Sequence, residues 1–260
     1  MKIATWNVNS INARLENVTE WLKQAEPDVA CLQEIKTVDD AFPSQTFEDL
    51  GYNVAVHGQK SYNGVAILSK RPFDETMSRL PGDDGDDHAR YLEAVVPCDG
   101  AVVRVASIYL PNGNPVGTDK FAYKLAWMDR LIGHATRLMA LEEPLVLAGD
   151  FNVIPVPEDA RNPEAWLGDA LFQPETRDRF RRLVNIGLTD GFRTCNDEPG
   201  AYTFWDYQGG AWQKDNGIRI DHLLLSPQAA DRLTASEIDR HVRAWERPSD
   251  HVPVWVELEI

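Results

Sequence analysis

The chain has 260 residues with 43% hydrophobic and 26% charged side chains, which is ordinary for a globular protein and excludes a disordered, collagen-like or coiled-coil chain. This length buries roughly 70% of the unfolded surface, so a core needs neither disulfides nor a metal. The net charge of −15, from 26 basic and 41 acidic residues, gives no support for a nucleic-acid partner, although such binding depends on the local field rather than the total.

Short runs rich in Val, Ile, Leu and aromatic residues recur along the chain, bounded by Gly, Pro, Asn or Asp, and such runs predict β-strands. The predicted strands cover residues 2–8, 28–33, 52–57, 64–69, 91–96, 102–109, 144–149, 218–226 and 252–258. Several of these strands follow one another with no helix between them, so the chain is not a strict alternation of strands and helices.

Apolar residues recur every three or four positions in the segments that predict helices. The first such segment runs from Ile11 to Ala25, with Ser10 as a candidate N-cap. The second covers residues 121–139, and shorter helices are predicted over residues 177–186 and 227–233. Together the elements predict an α+β fold in which residues 1–260 form one domain, with two packed sheets and helices on their outer faces.

Three features bear on localisation. No apolar run approaches the roughly 18 residues of a membrane span, and the apolar stretch at residues 1–8 is too short for a signal peptide. The cysteines Cys31, Cys98 and Cys195 cannot all pair, and none lies in a Cys-x-x-Cys motif. We therefore expect a cytoplasmic protein in a reducing environment, with no membrane partner.

Polar side chains gather where the predicted strands end. Asn7 closes the first strand, Glu34 follows the second, and Tyr109 ends a third strand before a turn. Asp150 and Asn152 follow an almost purely apolar strand. Taken singly, each of these positions is most simply explained by a turn or a cap.

Two acidic positions are harder to explain as turns. Asp221 lies inside an apolar run, and a buried acid needs a cation, a metal or hydrogen-bond donors. Asp250 and His251 directly precede the last predicted strand. Asp221 could orient His251, which could in turn stabilise a phosphoryl oxygen or assist proton transfer.

Taken together, the polar positions are typical of one kind of chemistry. Oxygen donors at Glu34, Asp150, Asn152 and Asp250 suit Mg²⁺ or Mn²⁺, whereas the cysteines are too scattered for a zinc site. The set predicts metal-assisted hydrolysis of a phosphoester, with Asn7 and Tyr109 as further phosphate contacts. No P-loop or dinucleotide fingerprint is present, so the use of an NTP or NAD is unsupported.

The same positions carry a resemblance that covers nearly the whole chain. The matching stretches are Trp6-Asn7-Val8-Asn9, Leu32-Gln33-Glu34, Gly51-Tyr52-Asn53-Val54, His57-Gly58-Gln59-Lys60, Asn63-Gly64-Val65-Ala66, Pro81-Gly82-Asp83-Asp84, Tyr109-Leu110-Pro111-Asn112-Gly113, Gly149-Asp150-Phe151-Asn152, Gly217-Ile218-Arg219-Ile220-Asp221 and Pro248-Ser249-Asp250-His251. Single motifs of this kind are weak, but the ordered set is specific. In this ordered set of motifs the chain resembles the exonuclease III family of bacterial apurinic/apyrimidinic endonucleases, within the endonuclease/exonuclease/phosphatase superfamily.

The resemblance implies a fold and a set of roles. The fold would be a four-layered α/β sandwich of the DNase I-like type, with two mixed β-sheets packed face to face and helices outside. The implied catalytic residues are Tyr109, Asp150, Asn152, Asp221 and His251. The implied metal-site residues are Asn7, Glu34, Asp150, Asn152, Asp250 and His251, with Mg²⁺ as the cofactor and Mn²⁺ as a substitute.

The activity that the resemblance implies is incision of double-stranded DNA on the 5′ side of abasic sites in base excision repair, with 3′→5′ exonuclease and 3′-phosphatase activity besides. The expected partner is double-stranded DNA with abasic sites or blocked 3′ ends, and nothing requires more than a monomer. A pocket wall of aromatic residues would admit a bare sugar and exclude a normal nucleotide. The implied DNA contacts are Arg90, Asn112, Lys120, Phe204, Trp205, Trp212 and Arg219, although the aromatic residues could equally be core and Lys120 solvated surface.

Two other classes of function remain open from the sequence. Another hydrolase of the superfamily, such as an inositol-polyphosphate or sphingomyelin phosphodiesterase or a general DNase, would share the Glu34 motif and the Ser249-Asp250-His251 ending. The Tyr109 loop and residues 217–221 favour the abasic-site branch. A metal-free DNA-binding relative with a decayed site is disfavoured, because every expected catalytic position carries the expected chemistry.

Overall fold

The structure is a computed structural model that describes residues 1–260. Its twelve strands form two six-stranded sheets. The strands are β1 (Lys2–Asn7), β2 (Val29–Gln33), β3 (Asn53–His57), β4 (Val65–Ser69), β5 (Glu75–Ser78), β6 (Tyr91–Cys98), β7 (Ala101–Tyr109), β8 (Leu145–Asp150), β9 (Thr189–Asp190), β10 (Asp221–Leu225), β11 (Leu233–Ile238) and β12 (Val254–Leu258). The first sheet has the order β11-β12-β1-β2-β4-β3, and the second has the order β5-β6-β7-β8-β10-β9. Both sheets are mixed, because β1/β2 and β7/β8 pair in parallel and the other pairs are antiparallel.

The helices cover the outer faces and the connections. They are α1 (Leu15–Ala25), α2 (Ser44–Glu48), α3 (Asp119–Met139), α4 (Pro174–Asn185), α5 (Gly191–Cys195) and α6 (Pro227–Ala230), with short 3₁₀ helices at Asp39–Ala41, Pro157–Asp159, Pro163–Trp166 and Arg240–Ala244. No helix combines the length and the apolar character needed to cross a bilayer.

All four predicted helices are present, with different ends, and the two five-residue helices α2 and α5 were not predicted. Ser10 is not the N-cap of α1, because its φ of +87° turns the chain before the helix begins at Leu15. The helix α4 begins at Pro174, since proline suits the first turn, where its missing N–H is not needed. The helix α6 ends at Ala230 and is capped by Ser226, whose side chain accepts from the N–H of Ala229.

The strand predictions miss three strands, all of them without an apolar run. The strands β5 and β11 are edge strands, of which β5 is largely exposed and β11 has a single buried residue, and β9 is two residues long. Edge strands such as these are held by backbone hydrogen bonds to one neighbour rather than by burial on two faces. Periodicity of apolar residues therefore leaves no signal for them.

The buried side chains form three main clusters that define the layers. The largest contains residues of both sheets, such as Val29 and Ile67 from the first and Val105 and Leu223 from the second, so the sheets pack face to face. A second cluster joins the outer face of the second sheet to α3 and α4. A third joins the outer face of the first sheet to α1. The predicted four-layered sandwich is thus confirmed.

A polar bridge links the two sheets inside this core. The Gln33 amide donates to Ser107 Oγ at 3.0 Å and accepts from Thr5 Oγ1 at 3.1 Å, while Ser107 donates to the carbonyl of Leu32. All three side chains are fully buried. Because each polar group is satisfied, the bridge fixes the register of one sheet on the other at the edge where the polar strand ends meet.

Candidate active site

Strand direction brings the predicted site residues to one edge of the sandwich. In the first sheet, β1 and β2 run in parallel and end side by side, which places Asn7 next to Glu34. In the second sheet, Tyr109 of β7, Asp150 of β8 and Asp221 of β10 share one register line. The strand β12 runs antiparallel to β1, so His251, just before it, lies at the same edge.

Asn7 joins the carboxylates of the two sheets. Its Nδ2 donates to Glu34 Oε1 at 2.8 Å and to Asp150 Oδ2 at 3.0 Å, and Asn7 is fully buried. Lys36 Nζ lies 2.9 Å from Glu34 Oε2. Burial alone would raise the pKa of Glu34, but the charge of Lys36 and the hydrogen bonds from Asn7 and Lys36 outweigh it and hold the pKa below its usual value. Glu34 is therefore ionised at neutral pH.

Asp150 is the most perturbed carboxyl group of the site. It is 2% exposed and accepts from the Asn152 backbone N–H at 2.9 Å as well as from Asn7. Burial, with the charge of Asp221 adding to it, raises the pKa of Asp150 to about 7, although His251 and the hydrogen bonds act in the opposite direction. A carboxyl group that titrates near neutral pH is suited to accept and release a proton.

Asp221 and His251 form a buried pair. His251 Nδ1 lies 2.9 Å from Asp221 Oδ2, and its Nε2 lies 3.8 Å from Asp150 Oδ2. Burial opposes the charge on the imidazole, but Asp221 and Asp150 outweigh it and raise the pKa of His251 to about 10. The ring of Phe204 packs edge-on at 5.0 Å from the His251 ring. His251 is thus a fixed imidazolium with Nε2 facing the carboxylates.

Tyr109 and Arg90 stand beside the carboxylates. Burial, followed by the charges of Glu34 and Asp150, raises the pKa of Tyr109 well above its ordinary value, so the phenol stays protonated and can donate. The Arg90 guanidinium lies 4.8 Å above the Tyr109 ring and donates to the Tyr109 carbonyl at 3.3 Å. This stacking holds the ring of Tyr109 in place and adds a cation to the rim of the site.

Two asparagines complete this edge of the second sheet. Asn152 has a left-handed backbone with φ of +47°, and its Nδ2 donates to the Leu110 carbonyl at 2.9 Å. Asn112 is exposed, and its Nδ2 donates to Asn152 Oδ1 at 3.2 Å. The amide of Asn112 thereby reaches the surface directly next to Asp150 and Asn152.

Three side chains lie close enough together to hold a metal ion. One potential ligand atom from each of Glu34, Asp150 and His251 lies within 4.8 Å of the other two. Asp250 is not part of this group, and its carboxylate accepts a hydrogen bond from Asn9 Nδ2 at 3.0 Å. Two carboxylates and neighbouring amides form a set of hard oxygen donors, which fits a divalent cation such as Mg²⁺.

The predicted DNA contacts divide into surface and buried residues. Arg90, Asn112, Lys120 and Phe204 are at least partly exposed, and Trp212 is half-buried against Trp205, with ring centroids 5.0 Å apart. Trp205 is 0% exposed and donates through Nε1 to Asp215, so its predicted place in a pocket wall is wrong. Its ring packs in a small core with Tyr202, Ala211 and Val252.

The prediction of Arg219 as a DNA contact is also wrong. The side chain is 2% exposed, and its guanidinium pairs with Asp159 at 2.7 Å and with Asp190 at 2.8 Å. Burial and then the charge of Arg219 lower the pKa of the neighbouring His222 to about 4, so that imidazole stays neutral. Arg219 is a structural cation that neutralises the buried Asp159 and the partly buried Asp190.

An Arg219→Met substitution is expected to destabilise the fold by about 3–5 kcal/mol, because it removes a partner from the buried Asp159 and from the partly buried Asp190. Urea unfolding measures the loss, and Lys214→Met, at an exposed position, serves as the control. The DNA affinity of the folded variant should match that of the control. If Arg219→Met instead lost DNA affinity while its free energy of unfolding stayed unchanged, Arg219 would be a DNA contact after all.

Several residues of the site were not singled out from the sequence. Lys36 pairs with Glu34, and Thr203 Oγ1 accepts from the N–H of Asp221 at 3.2 Å. Lys124 Nζ donates to the backbone carbonyl of Asn152. Lys36 could have been found from the sequence, because it lies two residues after Glu34. Thr203 and Lys124 gave no such signal, because their partners lie far away in the chain.

The chain belongs to the endonuclease/exonuclease/phosphatase family, whose profile matches residues 4–251. Members of this family are metal-dependent enzymes, in keeping with the Glu34, Asp150 and His251 group.

Individual relatives match over the full length. The chain is 34% identical to exodeoxyribonuclease III of Haemophilus influenzae, with 100% of both chains covered. Among solved structures it is similar to a 3′ phosphatase from Neisseria bound to a product DNA hairpin (TM-score 0.94, 38% identity) and to an AP endonuclease from Archaeoglobus fulgidus (TM-score 0.94, 33% identity), again with 100% of both chains covered.

Proposed function

We propose that the protein is a Mg²⁺-dependent phosphodiesterase that incises double-stranded DNA 5′ to abasic sites and also trims blocked 3′ ends, as a repair enzyme. The observation that carries this proposal is the convergence of Glu34, Asp150 and the Asp221–His251 pair at one edge of the sandwich. Residues from both ends of the chain, Asn7 and His251, take part. We therefore propose that residues 1–260 act as one catalytic unit and as a monomer.

Glu34 and Asp150 would hold the metal. The ionised Glu34 supplies the permanent charge, and Lys36 and Asn7 hold its carboxylate in one orientation. When bound, the divalent cation polarises the scissile phosphate and stabilises the leaving 3′-oxygen. Mn²⁺ would substitute, since it accepts the same oxygen donors.

The protein groups account for the remaining chemistry. Asp150 has a pKa of about 7 in the metal-free protein, and a bound cation would lower it. Its carboxylate would take the proton of the attacking water or return one to the leaving oxygen. We assign His251 to a phosphoryl oxygen rather than to the metal, because Nδ1 is taken by Asp221 and the protonated ring has no free lone pair. Tyr109 and Asn112 donate further hydrogen bonds to the phosphate. In-line attack leaves a 3′-hydroxyl and a 5′-sugar-phosphate.

The surroundings of the site fit DNA despite the negative total charge. Three partly exposed cations lie around this edge: Arg14 donates to the carbonyl of Asn9, Lys36 pairs with Glu34, and Arg90 stacks on Tyr109. Phe204 forms the partly exposed end of an apolar cluster with Ile218 and Ile220, directly beside His251. An apolar wall next to a phosphate site suits a sugar that lacks its base and has been turned out of the helix.

Trimming of 3′ ends is a second activity that the relatives favour. The Neisseria 3′ phosphatase bound to a DNA hairpin is more similar in sequence, at 38%, than the Archaeoglobus AP endonuclease, at 33%. Both reactions break a phosphoester with the same metal and the same acid–base groups, so they differ in how the DNA end or the abasic sugar enters the site rather than in chemistry.

The test is cleavage of three labelled duplexes: one with an internal tetrahydrofuran abasic analogue, one with a 3′-phosphate, and one intact. Each is incubated with Mg²⁺ and with EDTA. Metal-dependent incision 5′ to the analogue supports the abasic-site assignment, and cleavage of only the second or third duplex supports 3′-end trimming alone. If all three stay intact while inositol polyphosphate or sphingomyelin is hydrolysed, the assignment to DNA is wrong.

Metal affinity should depend on pH through Asp150. Below about pH 7 the carboxyl group is protonated in the metal-free protein and must release its proton to bind a cation. Affinity for Mn²⁺ should therefore fall by about tenfold per pH unit on going below pH 7, and level off above it. Calorimetry in buffers of different ionisation enthalpy measures both the affinity and the released proton. In Asp150→Asn the pH dependence of Mn²⁺ affinity should disappear. If a steep dependence remains in this variant, a group other than Asp150 is responsible for it.

A further inference from the structure

Lys124 is a buried lysine without a carboxylate partner. It lies within α3, is 0% exposed, and forms no ion pair. Its Nζ donates to the backbone carbonyl of Asn152 at 2.6 Å and to that of Asn112 at 3.0 Å. Both carbonyls belong to loops that carry proposed substrate contacts.

Stability alone does not account for this lysine. An ammonium group loses its hydration on burial, and that burial lowers the pKa of Lys124 to about 7 in spite of the charges of Asp150 and Asp169. Apolar residues of similar volume often replace buried charges with no loss of stability. A methionine would fill the same space without the cost of a buried charge, so the two hydrogen bonds are the feature that the lysine adds.

Those hydrogen bonds join two loops that carry proposed phosphate contacts. The first loop follows β7 and carries Asn112; the second follows β8 and carries Asn152. The two side chains meet at 3.2 Å, and the N–H of Asn152 donates to Asp150. The spacing of the loops therefore sets where the carboxylate and both amides stand relative to one another.

The stem of the lysine also shapes the first loop. Gly113 has φ of +87°, and a Cβ atom there would lie 2.5 Å from Lys124 Cδ. The loop thus rests directly on the lysine side chain, and only glycine permits this approach. Contact at the stem and hydrogen bonds at the tip act on the same loop.

We propose that Lys124 is a positioning residue for the reaction. It holds the Asn112 and Asn152 loops at a fixed separation, so that the side-chain amides of these two residues and the carboxylate of Asp150 can act on the same phosphate. This inference rests on the proposed function. Lys124 itself is too deeply buried to touch DNA, so its removal should slow the reaction while leaving the binding of the duplex largely intact.

The first test compares Lys124→Met with Lys124→Arg and with Lys23→Met, a charge-matched control at an exposed position of α1. In Lys124→Met, kcat on the abasic duplex should fall by about a hundredfold, the effect of a displacement of about 1 Å, whereas KM and the affinity for an uncleaved duplex in EDTA should change less than about threefold. Lys124→Arg keeps donors for both carbonyls and should recover at least part of kcat. Equal activity of Lys124→Met and Lys23→Met would overturn the inference.

A second pair of variants leaves the lysine in place, in case its removal prevents folding. Gly113→Ala puts a Cβ against Lys124, whereas Gly117→Ala, in the same loop with φ of +81°, meets nothing within 4 Å. Both carry the same backbone strain, so only the first should lower kcat markedly. Equal effects of the two would contradict the inference. Cleavage by the unaltered protein is measured in the same assay, so a failure of the proposed function is seen separately.

Discussion

Replacement of Glu34 by Gln is expected to lower kcat for cleavage of the abasic duplex by about 10²–10³-fold in Mg²⁺. Of the two carboxyl groups that would hold the metal, only Glu34 has a pKa below its usual value, so it supplies fixed negative charge to the cation. Glutamine keeps the shape and can still accept from Asn7, but the charge is lost. A loss of this size corresponds to about 3–4 kcal/mol of transition-state stabilisation.

The matched control is Glu16→Gln, which removes one charge at an exposed position of α1. Mn²⁺ titration followed by electron paramagnetic resonance should show weaker binding for Glu34→Gln and unchanged binding for the control. Full phosphodiesterase activity of Glu34→Gln with Mg²⁺ would refute the role of this carboxylate.

Replacement of Asp221 by Asn is expected to lower kcat by about 10³-fold with little change in KM, somewhat less than the roughly 10⁴-fold loss that the same change causes in a Ser-His-Asp triad. Asp221 holds Nδ1 of His251 at 2.9 Å and keeps the imidazole charged. Asp221 is the largest of the charges that raise the pKa of His251, so without it that pKa falls and a smaller fraction of the imidazole is charged at pH 8.

A double-mutant cycle separates this coupling from a general disturbance. His251→Gln alone and the double variant with Asp221→Asn should have nearly the same activity, because the acid acts through the histidine. Asp197→Asn, at an exposed position, controls for the loss of one charge. Additive losses in the double variant would show that Asp221 acts independently of His251. Thermal unfolding of each variant checks that the comparison is made on folded protein.

The central strands could be predicted from the sequence because each buries both faces and so reads as an apolar run. The run before Asp150 and the run before Glu34 are examples, and both strands are fully buried. The edge strands β5 and β11 lack such runs, because they border solvent and need no apolar side chains on that side. Their pairing is decided by the backbone of a neighbouring strand.

Burial of charged and aromatic residues could not be predicted in the same way. Arg219 lies between residues that resemble a substrate-binding motif, yet its partner Asp159 is 60 positions away in the chain. Trp205 is adjacent to Phe204, but successive residues of extended chain point to opposite sides, so only Phe204 faces His251. Both outcomes depend on which surface packs against the segment.

The sequence by itself determined the chemistry available to this protein: carboxylates, amides and a histidine at the ends of apolar strands, in an order typical of the family. The tertiary structure decided how these groups act. Parallel pairing of β1 with β2 and of β7 with β8 brings strand ends from two sheets to one edge. Burial there raises the pKa of Asp150 while Asp221 raises that of His251. Such shifts depend on distance and desolvation, which exist only once the chain has folded.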